Sequence, residues 1–445
     1  MSKESFLNYG LDQYKEKISV APNEGIVIVT REKYLPGFEQ VFNDSELPAS
    51  IITQNDGEFK LTSRSSSSQS LLILAEDTNI MGTISAAANA MRMIRWYEDA
   101  TGFKFDKSSV LLSGGRSTRN LGLAPLGNKG LITLPNDESL IELGIKKMKQ
   151  FSDNISNGTL IMACDEVIVL GNPPEIDQDR FTIIGGELPA NDQYLPLCGC
   201  CEIDSQNGKL INFYEKRPHA ELMSIFKQKE HIPVSWGGYY VPYALEDAFS
   251  EMFSTEYGEF SRIIEAAYVN LDDWLIRNPG YDEKTWQAAR SWHRMNDGFG
   301  FANSGPDAYF KHIGSNREFH DFCQQLFQDE TTKNLLNANP TPDSVLVSPS
   351  ASISGNVQVG KEVIVYNKSQ IRDGRLGSNS VVTNSDIKGE IGDRSLVANT
   401  TGEVNLPPST FHSSVITSKG NRKITFPLDT DIKSRKDLLD IALDQ

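Results

Sequence analysis

A glycine-rich turn followed by two cations is the part of the sequence best suited to bind phosphates. The apolar run Val110–Leu112 leads into the pair Gly114–Gly115, then into Ser117 and Arg119. Glycines let the backbone approach a ligand closely and turn its N–H groups towards phosphate oxygens, and an arginine adds a fixed charged fork. Lys129 adds a second cation ten residues further on. The pattern predicts a triphosphate site.

The order of residues in this turn excludes two common nucleotide-binding motifs. The chain has no GxxxxGK[ST] sequence here, so the turn is not a P-loop, and no GxGxxG follows a strand as in dinucleotide-binding proteins. Lys129 follows Gly127 and Asn128, a pair that predicts a flexible segment around the lysine.

A buried strand that ends in two acids supplies a different kind of group. The run Leu160–Ala163 is followed by Cys164, Asp165 and Glu166. Ligands of open α/β sheets bind at the carboxyl ends of the strands, where a carboxylate can hold Mg²⁺ against phosphate oxygens. We therefore predict Asp165 as the metal ligand and Mg²⁺ as the cofactor. Glu166 is interpreted as a solvated strand end.

Several further positions have a functional and a structural interpretation. Lys216 ends a strand and could neutralise a sugar phosphate. The pair Gly82–Thr83 opens a helix, where anions bind, although a plain helix cap explains it equally well. Tyr239 lies in a glycine–aromatic stretch and could form a sugar platform, with core packing as the alternative. For His312 the structural role is favoured.

The elements around these residues alternate between strands and helices, which predicts an α/β domain with a mixed, mainly parallel, Rossmann-like sheet. Asn136 is the expected cap of the second helix, and Asn207–Gly208 predicts a hairpin. The predicted strands cover residues 25–30, 71–74, 108–112 and 159–163, and the helices cover 84–97, 136–150, 243–253, 282–295 and 316–330.

The C-terminal part has a different sequence pattern. From residue 345 to about 399, small and β-branched residues recur in steps of roughly six, which is typical of a parallel β-helix. A sandwich of short strands is the alternative. We predict a catalytic domain over 1–336, with an N-terminal extension over 1–107, and a left-handed β-helix with a C-terminal tail over 337–445.

Composition excludes other classes of protein. The 445 residues carry a net charge of −16, which disfavours a nucleic-acid partner. No run of 18 apolar residues is present, so no membrane span is expected. The five cysteines are odd in number and form no CxxC pair, which disfavours a disulfide framework or a zinc site. We expect a cytoplasmic protein.

The order of the motifs resembles the fucose-1-phosphate guanylyltransferase family, which also supplies one half of bifunctional fucokinase enzymes. The similar segments are Gly114–Arg119, Leu126–Pro135, Ala163–Asp165, Tyr257–Phe260 and His312–Ser315. The resemblance implies a magnesium-dependent nucleotidyltransferase that makes GDP-L-fucose from GTP and a sugar 1-phosphate and releases pyrophosphate. A C-terminal β-helix, through which a homo-oligomer could form, is also a feature of that family.

The resemblance, together with the motifs, implies three groups of site residues. The catalytic group is Arg119, Lys129 and Asp165, the nucleotide-binding group is Gly114, Gly115, Ser117, Gly82 and Thr83, and the sugar-phosphate group is Lys216, Tyr239 and Glu259. Three alternatives stay open. A different sugar 1-phosphate or base would use the same residues. A silent scaffolding homologue is favoured only by Thr255, where the family has an acid. An acyltransferase is disfavoured because residues 345–400 contain no histidine.

Overall fold

The strands of the first 303 residues, except one, belong to a single mixed sheet. The structure is a computed structural model that describes residues 7–21, 23–64, 70–77, 80, 82–113, 118–227, 229–254 and 258–444. The strands are β1 Glu24–Arg31, β2 Ser50–Asn55, β3 Glu58–Ser63, β4 Leu71–Glu76, β5 Lys107–Leu112, β6 Gly158–Ala163, β7 Glu166–Val169, β8 Thr182–Pro189, β9 Gly199–Ile203, β10 Leu210–Glu215, β11 His231–Val241, β12 Gly300–Asn303 and β13 Tyr309–His312.

The centre of the sheet is parallel and its flanks are antiparallel. The order is β10-β9-β11-β6-β5-β1-β4-β2-β3, with β8 beside β11 and β12 beside β8. Strands β2, β4, β1, β5 and β6 run parallel, so their carboxyl ends share one edge. The exception, β7, pairs with β13 in a separate two-stranded sheet. Asp165 therefore lies at the shared edge, between the end of β6 and the start of β7.

Helices cover both faces of the parallel strands. Val27 and Val29 point into a hydrophobic cluster with helix Thr83–Thr101, whereas Ile26 and Ile28 point into another with helix Leu140–Ser152. This alternation is what a strand buried on both faces requires. The helices are α1 Asn8–Lys15, α2 Leu35–Asp44, α3 Thr83–Thr101, α4 Leu140–Ser152, α5 His219–Ile225, α6 Glu246–Met252, α7 Phe260–Ala266, α8 Leu271–Arg277, α9 Glu283–Met295, α10 Asn316–Gln324, α11 Glu330–Leu335 and α12 Lys436–Asp444.

The expected cap of α4 at Asn136 is wrong. Ser139 is the cap: its hydroxyl accepts from Glu142 N at 3.3 Å, and the Glu142 carboxylate accepts from Ser139 N at 2.7 Å. This reciprocal pair is a capping box, which satisfies two backbone donors at once. Asn136 lies in the preceding turn, where its side chain accepts from Glu138 N.

The C-terminal strands form two parallel sheets, which confirms the parallel strands predicted for this part. One has the order β14-β17-β19-β21-β23, closed by antiparallel β24, and the other has the order β15-β18-β20-β22, with β16 also on β18. The left-handed winding of a β-helix stays a prediction. The strands are β14 Val345–Val347, β15 Ser352–Ile353, β16 Val357–Val359, β17 Val363–Tyr366, β18 Gln370–Leu376, β19 Val381–Thr383, β20 Asp386–Ile391, β21 Leu396–Ala398, β22 Thr401–Leu406, β23 Thr410–Thr417 and β24 Gly420–Pro427.

The C-terminal strands pack directly against the loop that follows β5. Leu123 of that loop belongs to the same hydrophobic cluster as Phe411 and Ile432. The carbonyl of Gly122 accepts from Ser413 Oγ at 2.7 Å and from Asn399 Nδ2 at 2.6 Å. One hydrophobic cluster therefore contains residues from both sides of residue 337, and the domain boundary there stays a prediction. Among the helices described, none combines the length and the apolar character needed to cross a bilayer.

Candidate active site

Asp165 is a buried carboxylate held between two cationic groups. Only 7% of the residue is exposed, and its Oδ2 contacts Lys129 Nζ and lies 3.5 Å from His312 Nε2. Burial alone would raise the pKa of Asp165, but Lys129 and His312 hold it well below its usual value. The carboxylate is therefore ionised at neutral pH.

Hydrogen bonds hold the segment around Lys129, where the sequence predicts flexibility. The Asn128 side chain is fully buried, where Oδ1 accepts from Gly130 N at 2.8 Å and Nδ2 donates to Ser113 O at 3.1 Å. These bonds fasten the turn to the end of β5, so Lys129 is fixed beside Asp165. Sequence alone suggested mobility because glycine and asparagine also mark loose turns.

His312 is part of this group, although the sequence favoured a structural role for it. Strand β13 places His312 opposite Glu166 of β7, and Ile313 N donates to Asp165 O at 2.8 Å. The His312 Nδ1 lies 3.5 Å from the carboxylate of Glu318, in the first turn of α10. Burial would lower the pKa of His312, but Asp165 and Glu318 raise it to about 9. The sequence did hold one indication of a functional role, because His312 lies in the segment His312–Ser315 that resembles the fucose-1-phosphate guanylyltransferase family.

Glu166 is not the solvated strand end that the sequence suggested. Its Oε2 is buried, and no donor of the described residues lies within hydrogen-bond distance. The carboxylate packs against Gly237, where a Cβ atom would stand 2.4 Å from Oε1. Burial raises the pKa of Glu166 to about 7 despite the nearby Lys147, which donates to the backbone carbonyls of Ala163 and Glu166. Glu166 therefore faces an enclosed space.

That space is a cleft of about 510 Å³, next to Asp165. Its lining includes the charged residues Arg119, Glu166, Asp192, Glu215, Lys216, Lys311 and Glu318, together with Tyr239 and His312. The Lys216 side chain is 57% exposed and lies 3.5 Å from the buried carboxylate of Glu215. Lys216 has a φ of +50°, a strained conformation for a lysine that is consistent with a functional position. Glu215 was not predicted from the sequence, although its position directly before Lys216 is a signal for it.

The remaining sugar and nucleotide candidates meet beside the cleft. The Tyr239 ring stacks on Phe260 with centroids 4.1 Å apart, so its hydroxyl is better placed than its ring face to meet a ligand. Thr83 Oγ1 donates to Glu259 Oε2 at 2.9 Å. At Gly82 a Cβ atom would stand 2.2 Å from a neighbouring carbonyl, so only glycine fits. Thr83 and Glu259, assigned to different substrates, therefore touch each other.

Part of the predicted site lies outside the described residues. This applies to Gly114, Gly115 and Ser117 of the glycine-rich turn, and to Thr255. Arg119, at the end of the same turn, lies in the described 3-10 turn Thr118–Asn120. Arg119 is therefore the cation of the predicted phosphate loop whose position the structure describes.

The donor set fits Mg²⁺ held partly by a substrate. Among the described residues, no three His, Cys, Asp or Glu side chains are grouped as in an all-protein metal site. Mg²⁺ in phosphate chemistry is instead held by one or two carboxylates, with substrate phosphates and water completing the shell. The ionised Asp165 and the unpartnered Oε2 of Glu166 match that requirement.

Comparison with known proteins gives only distant likenesses. No protein family and no curated protein matches the chain. A structure described as mannose-1-phosphate geranyltransferase from Thermus thermophilus is 9% identical, with a TM-score of 0.37, over 76% of this chain and 99% of that one. A UTP-bound UGPase from Acinetobacter baumannii is 10% identical, with a TM-score of 0.26, over 70% of this chain and 97% of that one. Likenesses this weak assign neither fold nor activity.

Proposed function

We propose that the protein is a sugar-1-phosphate nucleotidylyltransferase. The observation that carries the proposal is the buried, ionised Asp165 at the carboxyl edge of the parallel strands, beside a cleft lined by Arg119 and Lys216. An acid that can hold a metal and cations that can hold phosphates are the groups that nucleotidyl transfer needs. The cleft has a volume in the range of small-molecule sites.

The substrates we propose are GTP and fucose 1-phosphate, with GDP-L-fucose as the product. The support for this choice is the order of motifs, from the glycine-rich turn to His312–Ser315, that resembles the fucose-1-phosphate guanylyltransferase family. The same site chemistry serves any nucleoside triphosphate and sugar 1-phosphate, so another pair is the alternative that the assay below must separate.

In the proposed reaction, a phosphate oxygen of the sugar 1-phosphate attacks the α-phosphorus of the nucleoside triphosphate. The bond from that phosphorus to the β-phosphate bridging oxygen breaks, and pyrophosphate leaves with the electron pair. The attacking phosphate is already ionised, so no general base is needed. Catalysis then rests on alignment and charge neutralisation.

Each residue in and beside the cleft would have a separate role in this reaction. Lys216 would hold the sugar phosphate, Arg119 the triphosphate, and Lys129 the charge that develops on pyrophosphate. Asp165, with Glu166 beside it, would hold Mg²⁺, which when bound supplies a Lewis acid and neutralises phosphate charge. Glu215 is positioned beside Lys216 to accept hydrogen bonds from a ligand. His312 would keep Asp165 oriented through its contact at 3.5 Å.

A pyrophosphate-release screen tests the proposal directly. Four nucleoside triphosphates are crossed with a panel of sugar 1-phosphates, with and without Mg²⁺, and pyrophosphate is measured by a coupled enzyme. The proposal predicts fastest release with GTP and fucose 1-phosphate. Release with another pair would support the proposed reaction but assign different substrates to it. No release with any pair would favour a scaffolding homologue.

The role proposed for the C-terminal strands is assembly. Their two parallel sheets support a left-handed β-helix, and a homo-oligomer through its surface would cover strand edges that otherwise invite uncontrolled pairing. Analytical ultracentrifugation of the full chain tests this, since a monomer at every concentration would contradict it.

A further inference from the structure

A further cation stands near the cleft, and it comes from the C-terminal segment of the chain. Lys433 lies in the 3-10 turn Ile432–Ser434, which follows the last strand β24. This turn packs against the turn Thr118–Asn120, which carries Arg119. Helix α12 contacts the same turn. The C-terminal segment therefore returns to the catalytic side of the molecule.

The backbone that carries Lys433 is firmly anchored. Ile432 is 2% exposed and packs in the hydrophobic cluster that also holds Leu123. Asp431 Oδ1 accepts from Lys433 N at 3.1 Å, and Asp429 takes two bonds of 3.1 Å from the Arg394 guanidinium. The Lys433 side chain itself is exposed. The segment thus fixes the backbone and leaves the ammonium group free to reach a ligand.

Charge gives the reason to expect a ligand. The turn that carries Lys433 packs against the turn that carries Arg119. Partial burial lowers the pKa of Lys433 most, Arg119, Lys129 and Lys216 lower it further, and Asp431 opposes them. Of the other acids near these cations, Asp165 is paired with Lys129, and Glu215 lies beside Lys216. The chain as a whole carries a net charge of −16, so this gathering of like charges is local. Like charges repel, and a bound polyanion relieves that repulsion.

We propose that Lys433 is a phosphate-binding residue, supplied by the C-terminal segment, that contacts the triphosphate or the departing pyrophosphate. The identity of the phosphates as nucleotide and pyrophosphate rests on the proposed function, whereas the polyanion site itself does not. The segment 429–444 would then contribute a residue to phosphate binding, whereas the C-terminal strands before it are proposed to act in assembly.

The test is binding of inorganic tripolyphosphate to the full chain, measured by calorimetry. Lys433→Met should weaken binding about tenfold and make it less dependent on salt, since one charge-assisted contact is lost. Lys433→Arg should stay within about threefold of the wild type. Lys388→Met, a matched control on an exposed position of β20, should stay within about twofold.

The outcomes separate the inference from the proposed function. Unchanged tripolyphosphate affinity in a folded Lys433→Met protein would overturn the inference. So would a loss of affinity that accompanies a lower melting temperature and that Lys433→Arg does not restore. If no nucleotide and sugar pair releases pyrophosphate, yet tripolyphosphate binding depends on Lys433, then the inference stands as a polyanion site and the proposed function fails.

Discussion

The two halves of the molecule bury polar groups in different ways. The α/β half buries charges: Asp165 is 7% exposed, Lys147 is fully buried and Glu76 is 5% exposed. The C-terminal strands bury hydroxyls instead. Ser385 N donates to Ser369 Oγ at 3.3 Å, and the same arrangement recurs in the next turn of chain.

This difference distinguishes buried groups that folding tolerates at little cost from buried groups that function requires. A buried hydroxyl with a partner is tolerated at little cost, and the repeat supplies a partner at each step. A buried charge costs several kcal/mol unless it is well paired, and apolar residues of the same size usually fold as well. Charges retained in the α/β half therefore mark the part of the molecule where chemistry is expected.

Asp165→Asn is the variant with the largest expected effect, and it tests whether the buried charges of the α/β half serve chemistry. Turnover should fall by roughly 10³-fold or more, because an amide holds Mg²⁺ poorly and leaves Lys129 without its partner. The measurement is steady-state pyrophosphate release with the best substrate pair from the screen, alongside circular dichroism to check folding.

The matched control is Asp12→Asn, which removes an exposed aspartate paired with Lys15 at 3.3 Å. Its turnover should stay within about twofold of the wild type, since exposed ion pairs contribute little. Near-wild-type activity in a folded Asp165→Asn protein would remove Asp165 from the site and weaken the contrast between the halves.

The Lys147→Met variant tests whether a buried cation stabilises the edge of the sheet. The variant should lose about 3 kcal/mol of unfolding free energy, because the carbonyls of Ala163 and Glu166 lose their donor. Urea denaturation measures it. Lys149→Met, two residues along the same helix and partly exposed, should change stability by less than about 0.5 kcal/mol. Equal losses in the two variants would show that burial of Lys147 is unimportant.

How much the sequence could predict depends on how local the signal is. Strand β6 followed by Asp165 is a local pattern, so both were predictable. The cap at Ser139 was missed because Asn136 is also a good cap, and only the reciprocal bond with Glu142 distinguishes them. Lys433 reaches Arg119 only through the packing of the C-terminal segment, which no local pattern records.

The surroundings of the cleft residues could not be predicted from local sequence patterns either. Glu166 and His312 face each other because β7 and β13, which are far apart in sequence, pair in register. Burial raises the pKa of Glu166, whereas the carboxylates of Asp165 and Glu318 raise the pKa of His312, and both environments depend on tertiary packing. Residue type alone suggested a solvated acid at Glu166, whereas the structure packs its carboxylate against Gly237. The structural role favoured for His312 stays a prediction.

Glu76→Gln tests the buried carboxylates away from the cleft. Burial raises the pKa of Glu76 from 4.5 to about 7, only partly offset by Arg31, 3.4 Å away. A raised carboxyl pKa means that wild-type stability falls as pH rises from 4.5 to 7. Relative to the wild type, Glu76→Gln should gain about 3 kcal/mol over that window and keep the gain above it. The measurement is denaturation at several pH values, with exposed Glu58→Gln as the control. A pH-independent difference would contradict the shift.

The smallest expected effect belongs to the hydroxyl ladder of the C-terminal strands. Ser395 is fully buried; its hydroxyl accepts from Thr410 N at 3.2 Å and lies 3.2 Å from Pro407 O. Ser395→Ala should cost about 1 kcal/mol of unfolding free energy, because one backbone donor loses its partner while no charge is stranded. Exposed Ser352→Ala should change almost nothing. Denaturant midpoints at constant slope measure both. A loss for Ser395→Ala as large as that of Lys147→Met would mean that the hydroxyl ladder carries as much stability as the buried charges, and burial of charge would no longer distinguish the half that performs chemistry.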